Sequence, residues 1–522
     1  MRVGAVRSPR GLVRSTARRC TLALALFAGV STSCATYSDR TEAMRASLQQ
    51  GDYAGGTKQL NAILKVKNNE QLPDKWKKNF SLVVLERATV LQALGLHELS
   101  ARDFQVADKE LELLDISRDG AGKLGKYIYS DSATKYKASP IEKLSLNAMN
   151  MCNYLAKGNL DGANVEARRF TVMYKYMQDY DPDHAYGAFG SYLAGFVNER
   201  LGNADSALRY YEQALSERDF GTLREPIERL AGQSTFRGER INDYLPSELR
   251  GGTPPVPKSS SPPSEPAPKP SANEPKASDE GSQPPSFDAG EPPVQRPELG
   301  ALPAGESRWA LGPGSDNAGE VLVVAKVGRV PYKIPRRIPI GAAIGLAGAY
   351  ITGDTTLLEY GMFKVVTYPE LVASGSLFER AELAIGGQSV RMDLASDLSA
   401  EIVQEYEEIK PKIIGAALTR MIARAAAAEG ARAAGKQSSQ AGGLVGFLAA
   451  AAVEGTMVAL DKPDTRSWTT LPGRVYVGRA RLPPGEHELR ITVAGPGGRE
   501  VRHTKVKIGA GQFVVVDVTT LR

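Results

Sequence analysis

The rhythm of apolar and polar positions changes along this chain, and the changes mark its parts. In "DLSAEIVQEYEEIKPKIIGAALTRMIARAAAAEG", Leu398, Ile402, Tyr406, Ile409, Ile413, Ala417 and Met421 recur at helical spacing. That predicts a helix with a core-facing stripe, which Pro411 kinks or divides in two. Upstream, "EVLVVAKVGRVPYKI" and "YGMFKVVTYPEL" read as strands. Downstream, "GRVYVGRARLPPGEHELRITVAGPGGREVRHTKVKIGAGQFVVVDVTTL" alternates short strands with Pro-Gly and Gly-rich turns. From about Arg40 to Tyr244 the residues are instead helix formers, punctuated by glycine.

Four phrases in this helical stretch align: "QQGDYAGGTKQLNAI", "QALGLHELSARDFQVA", "LAKGNLDGANVEARRF" and "ERLGNADSALRYYEQA". Each carries a glycine (Gly51, Gly95, Gly158, Gly202), then a small residue five places on (Gly56, Ser100, Ala163, Ala207). An apolar or aromatic position follows near the ninth place. The phrases resemble the tetratricopeptide repeat, in which the glycine ends a tight turn and the small residue lets two helices approach. In the last copy Ala194, Gly202, Ala207, Tyr211 and Ala214 all fall on the repeat's preferred positions. Spacings of 44, 63 and 44 residues exceed the 34 of a regular array, so longer, irregular helices are expected. The resemblance implies a small helical solenoid with a concave face for another chain, and Asn198 and Glu199 are candidates to line it.

Between Gly251 and Gly300 lie 14 of the chain's 32 prolines, and the large apolar residues there are Val256, Phe287, Val294 and Leu299 alone. Such a segment buries too little surface to offset its ordering entropy, so residues 246–315 are expected to be a disordered linker. The linker separates residues 34–245 from residues 316–522. Fifty residues of coil span about 40 Å, which lets the second part move away from the first. The expected architecture is therefore multi-domain: an all-α solenoid, a Pro-rich linker, then an α+β domain ending in a β-sandwich-like module at about 463–522.

The start of the chain has a different logic. Six arginines (Arg2, Arg7, Arg10, Arg14, Arg18, Arg19) precede an apolar run from Leu22 to Val30, then Ser31, Thr32, Ser33 and Cys34, with no acidic residue before the cysteine. A positive end, a short apolar core and a small-residue exit describe a secretory signal over residues 1–33, and the run is too short to span a bilayer. Cys34 in that place resembles the lipobox of bacterial lipoproteins, although Ser31 stands where leucine is commonest. The alternative is an ordinary cleaved signal followed by a chance cysteine, and Arg18-Arg19 only weakly suggests twin-arginine export. The lipobox resemblance implies that the Cys34 thiol is diacylated and becomes the new amino terminus. Two or more acyl chains anchor a protein stably where one does not. Ala35 in place of the aspartate that retains many lipoproteins in the inner membrane implies the periplasmic face of the outer membrane.

Removal of the six arginines cancels the formal charge of +6 and leaves the mature chain neutral. With no Lys/Arg-rich run either, no nucleic-acid partner is expected. Of the three cysteines, Cys20 leaves with the signal and acylation takes Cys34, so Cys152 has no partner for a disulfide and is expected to be a buried small hydrophobe. The four histidines, His97, His184, His487 and His503, are not at metal-ligand spacing, so neither a metal nor another cofactor is expected. No phosphate loop, nucleophile elbow or zinc-protease motif occurs, and the reading is of a protein that is not an enzyme. Two Gly/Ala-rich apolar runs remain: "IPIGAAIGLAGAYITG", too short to span, and "GGLVGFLAAAAVEGTMVAL". The second reads as a closely packed interior helix, or as a segment set against a membrane.

The β-rich end, in "LPPGEHELRITV" and "VKIGAGQFVVVDV", resembles PEGA-type β-sandwich modules of bacterial surface proteins. Just before it, Asp464, Arg466 and Trp468 could form a recognition patch for sugar or peptide. An internal ion pair with a packed indole is the commoner arrangement and the preferred one. Together, the lipobox, the repeat phrases, "GRVPYKIPRRIPI" and "DTRSWTTLPGRVYV" resemble a family of bacterial lipoproteins with an N-terminal tetratricopeptide-like region. That resemblance implies a non-catalytic scaffold that recruits an envelope protein through its helical groove. The alternatives are a peptidoglycan or polysaccharide binder acting through the β-rich end, and a wall hydrolase.

Overall fold

A computed structural model of the protein describes residues 35–113, 136–180, 186–250, 317–351, 365–436 and 463–522. Cys34, the Pro-rich segment and the apolar run at 442–460 lie outside the described residues.

The N-terminal region is helical. Its helices are α1 (Tyr37–Arg40), α2 (Glu42–Gln49), α3 (Tyr53–Leu64), α4 (Phe80–Ala93), α5 (His97–Glu110), α6 (Pro140–Ala156), α7 (Leu160–Tyr180), α8 (Ala188–Arg200), α9 (Ala204–Glu217), α10 (Arg224–Ala231) and α11 (Glu239–Tyr244). Two-residue strands β1 (Glu112–Leu113) and β2 (Lys137–Ala138) pair in parallel between α5 and α6. The pairs α2–α3, α4–α5, α6–α7 and α8–α9 each pack together, and α3, α5 and α7 in turn touch the following helix.

The four repeat glycines explain these pairs. Gly51, Gly95, Gly158 and Gly202 adopt φ of 81°, 72°, 67° and 78°, the left-handed region that costs glycine least. Each is followed by a residue whose N–H donates to the carbonyl five positions back: Asp52 to Ser47, Leu96 to Leu91, Asn159 to Tyr154 and Asn203 to Asn198. This is the Schellman stop, repeated four times, with the next helix starting almost at once. The small residues five places on sit where helices meet. Ala163, Ala207 and Ser100 are fully buried, and Ser100 Oγ donates to the Ala88 carbonyl at 2.7 Å. Ala194 and Tyr211 are buried as well, and a Cβ on Gly195 would lie 2.4 Å from the Tyr211 ring.

The C-terminal region is β-rich. In chain order it holds β3 (Gly319–Val327), β4 (Tyr332–Pro339), α12 (Ile340–Ala347), β5 (Val365–Val372), β6 (Arg380–Ile385), β7 (Gln388–Val390), β8 (Met392–Ser396), α13 (Leu398–Lys436), β9 (Arg474–Leu482), β10 (Gly485–Gly495), β11 (Gly498–Ile508) and β12 (Phe513–Thr520). One sheet runs β11-β10-β6-β7 and another β12-β3-β9-β8, with β12 and β3 parallel. Val321, Val323, Leu383, Leu489, Ile491, Val506, Val514 and Val518 fill the space between the two sheets. The β-rich end does not close on itself: β3 separates β12 from β9, and β6 pairs with β10. The sandwich therefore needs strands from before residue 463. Separately, β4 and β5 form a two-stranded ribbon, and α12 and α13 pack on it to make a lobe with its own small core. Pro411 lies inside α13, which is one continuous helix.

The expectation of two parts free to move apart is corrected. All nine residues of β3 are buried, because alternate side chains serve two cores. Val321 and Val323 enter the sandwich, while Leu322 and Val324 join Phe513, Val515, Val475 and Val477 in the core of the helical region. Strand β12 lies on α4 and α6. A linker that leaves the ends free to separate does not oblige them to do so when each has an apolar face to cover.

Candidate interaction site

Of the residues proposed from the sequence as partner contacts, Glu199, Asp464, Arg466 and Trp468 fall on this internal interface. The segment 464–470, without regular secondary structure up to a turn at 469–470, lies against α4 and α6. Arg466 pairs with Asp464 at 2.6 Å and donates to Asn79 Oδ1 at 3.2 Å. Trp468 is fully buried, edge-on to Phe104 with ring centroids 5.9 Å apart. Its indole Nε1 donates to Thr89 Oγ1 at 3.0 Å. The recognition-patch reading of Asp464, Arg466 and Trp468 gives way to the internal ion pair with a packed indole.

Two carboxylates of the helical region grip the backbone of this segment. Trp468 N–H donates to Glu142 Oε1 at 2.8 Å. Thr469 N–H and Thr470 N–H donate to the two oxygens of Glu86 at 2.9 and 2.8 Å, and Thr469 Oγ1 adds a bond at 2.9 Å. Burial pushes the Glu86 carboxyl up, against the lowering effect of the bonds from Thr470 and Thr469. Charged acceptors on backbone N–H groups are among the stronger hydrogen bonds. The helical region thus holds a segment of the same chain, residues 468–470, by its backbone N–H groups.

The second contact is ionic. Glu199 is buried and accepts from Arg200, from Arg229 at 2.5 Å, from Arg479 of β9 at 2.6 Å and from the Tyr211 hydroxyl at 2.6 Å. Glu320 of β3 accepts from Arg200 at 2.6 Å and from Arg479. Burial alone would raise the Glu199 carboxyl, but Arg200, Arg479 and Arg229 outweigh it and hold it well below the usual range. Asn198 is also buried and donates to the Ala194 carbonyl of its own helix at 2.9 Å. Neither Asn198 nor Glu199 is open to an external partner: both are buried, and Glu199 is engaged by Arg479 of the sheet.

A third cluster joins α4, α5 and α6 to the sheet. Lys326 Nζ lies 2.6 Å from Asp517 Oδ1 and donates to Gln92 Oε1 at 2.6 Å. His97 Nδ1 stands 3.9 Å from Asp517, and burial lowers its pKa. Cys152 is buried beside this cluster, and burial pushes its thiol up to about 12. The native chain is therefore expected to resist iodoacetamide at Cys152 at pH 8, and to react fully once unfolded. Labelling of the native protein, read by mass spectrometry, would show the thiol to be exposed.

Sequence reasoning missed Glu86, Glu142, Glu320, Lys326, Arg479 and Asp517. A signal existed for three of them: Glu86 in "FSLVVLERATVLQA", Lys326 in "VLVVAKV" and Asp517 in "FVVVDVTT" each interrupt an apolar run. A charge in such a place is buried and must find a partner. All of these side chains are buried: Glu86 and Glu142 hold backbone N–H groups, Glu320 and Arg479 pair within the ionic cluster, and Lys326 pairs with Asp517. Among the described residues, no group of three or more His, Cys, Asp or Glu is placed to hold a metal ion, and no helix is long and apolar enough to cross a membrane. No known protein family, curated protein or solved structure matches the chain.

Proposed function

We propose that this protein is a non-catalytic, lipid-anchored scaffold on the periplasmic face of the bacterial outer membrane. Its helical region is a tetratricopeptide-like solenoid whose peptide-holding face is committed to its own C-terminal region. The observation that carries this reading is the grip of Glu86 and Glu142 on three successive backbone N–H groups of residues 468–470. A helical groove filled in cis does not recruit a partner through that groove. It makes helices and sandwich one rigid body, which offers outer surfaces to an envelope protein. A wall-polymer contact through Trp468 is disfavoured, since the indole lies inside.

Two experiments test the two halves of the proposal. Cells supplied with labelled palmitate should incorporate it into the wild type, while Cys34→Ala should take up none and either stay uncleaved or become soluble in the periplasm. A wild type that takes up no label, with its mature start elsewhere, ends the anchor reading. In-cell crosslinking from exposed positions such as Val172 of α7 and Val501 of β11 should capture an envelope protein. Capture of peptidoglycan fragments instead would place the function in wall binding.

A further inference from the structure

The lobe built from β4, β5, α12 and α13 exposes apolar side chains at its far end. Leu346 is 50% exposed, Tyr350 40% and Val365 47%. Pro339 pairs with Val365 at the end of the ribbon, and α12 starts at the next residue, so the three are contributed by one tip. In "IGAAIGLA" only Ala343 and Ala347 are buried, against α13. The remainder of α12 is half or fully exposed and carries no charge. An apolar helix with one small buried face is an expensive surface to leave in water.

Among the described residues nearest the tip the charged side chains are cations, and the nearest described carboxylate, Glu370 of β5, is paired with Arg336. Residues 335–351, 365–368 and 411–422 hold Arg336, Arg337, Lys412 and Arg420 and no carboxylate. Arg336 reaches back to Glu370 at 3.4 Å and stays 59% exposed, and Arg337 is exposed. Apolar and tyrosine side chains rimmed by cations suit the boundary between acyl chains and anionic headgroups. The position of the amino terminus adds a second argument. Helix α1, which begins three residues after Cys34, packs against β4, and Arg45 of α2 lies over the Tyr332 ring at 4.2 Å. Strand β4 then runs eight residues from Tyr332 to the lobe tip, about 25 Å at strand spacing. Helix α1, near the first of the described residues, and the apolar tip thus stand on one short ribbon.

We propose that the lobe tip rests on a lipid surface, with Leu346, Tyr350 and Val365 in the interfacial zone and Arg336 and Arg337 against anionic headgroups. The contact orients the scaffold; its being a second attachment, the argument from the place of α1 and the identity of the membrane rest on the anchor reading above, whereas the apolar tip and its cations do not.

The test removes the acyl chain so that the two attachments are separated. The chain from Ala35 to Arg522, which keeps every described residue, should co-sediment with vesicles of phosphatidylethanolamine and phosphatidylglycerol. Leu346→Glu with Val365→Glu should lower the partition at least about tenfold, because both apolar contacts become charged. Arg336→Gln with Arg337→Gln should lower it about twenty-fivefold on anionic vesicles and little on phosphatidylcholine, at about fivefold per cation. Val172→Glu, at an exposed apolar residue of α7, should change nothing. All variants alter exposed positions and should melt with the wild type. Absence of vesicle binding, or binding that the tip variants leave intact, overturns the proposal. So does a dimer in sedimentation velocity without lipid that Leu346→Glu abolishes, since a second copy would then be the occupant. Vesicle binding without palmitate labelling would sink the anchor and leave the tip contact standing.

Discussion

Trp468→Ala should destabilise the whole chain by about 3–5 kcal/mol, the cost of removing a fully buried large aromatic side chain. The indole fills the space between α4 and α5, meets Phe104 edge-on and satisfies Thr89 through its N–H. Its loss leaves a cavity in a core that both regions share, so helices and sandwich should lose stability together. Urea unfolding followed separately by helical signal and by protection of the C-terminal strands should give coincident transitions, both shifted. Trp468→Phe should cost less, because most of the packing survives and chiefly the Nε1 bond is lost. Limited proteolysis should open the segment 464–470 in the alanine variant before any helix is cut. A loss below 1 kcal/mol, or unfolding of the sandwich alone, would mean that the two regions do not share the core described here.

The parts of this fold that were legible in the sequence are those decided within a few residues. Gly51, Gly95, Gly158 and Gly202 could be read because a Schellman stop needs a left-handed residue at one place, and the following helix fixes the next small residue. The stripe of α13 and the strands of the β-rich end were legible for the same reason. The interface was not. Glu199 near the end of α8 has the local look of a solvated carboxylate, and nothing nearby in sequence announces Arg479, 280 residues on. For Asp464, Arg466 and Trp468 the internal ion pair with a packed indole is the preferred reading of the sequence, but their own stretch does not say what they pack against. What buries them is a groove built from α4 and α6, more than 300 residues earlier. The Pro-rich run at 251–300 encouraged a reading of two independent parts, although the composition of such a run says nothing about whether the parts on either side of it pack together.

Glu199→Gln should destabilise the chain by about 3–5 kcal/mol, and by more than Arg479→Met, for a reason that lies in the charge count of the cluster. Two carboxylates, Glu199 and Glu320, face three guanidiniums, Arg200, Arg229 and Arg479. Loss of Arg479 leaves two of each sign. Loss of Glu199 leaves three cations on one buried carboxylate, and only Arg229, 24% exposed and paired also with Glu225 at 3.3 Å, reaches toward water. Arg200 already has two nitrogens without a partner, Nε and Nη1, and can spare no acceptor. The sign of the pH dependence follows from the same residues. The folded pKa of both Glu199 and Glu320 lies below the ordinary 4.5, so the unfolded chain takes up protons first as the pH falls. The cluster's contribution is complete above that value and is lost as the pH drops through the folded range. Wild-type stability should therefore decline below about pH 4.5, and the Glu199→Gln chain should show a flatter decline in the same window. Denaturant midpoints measured from pH 7 down to pH 3 read both effects at once. Equal slopes for the two chains would mean that Glu199 is not charged in the folded protein, and an Arg479→Met loss larger than that of Glu199→Gln would refute the charge count.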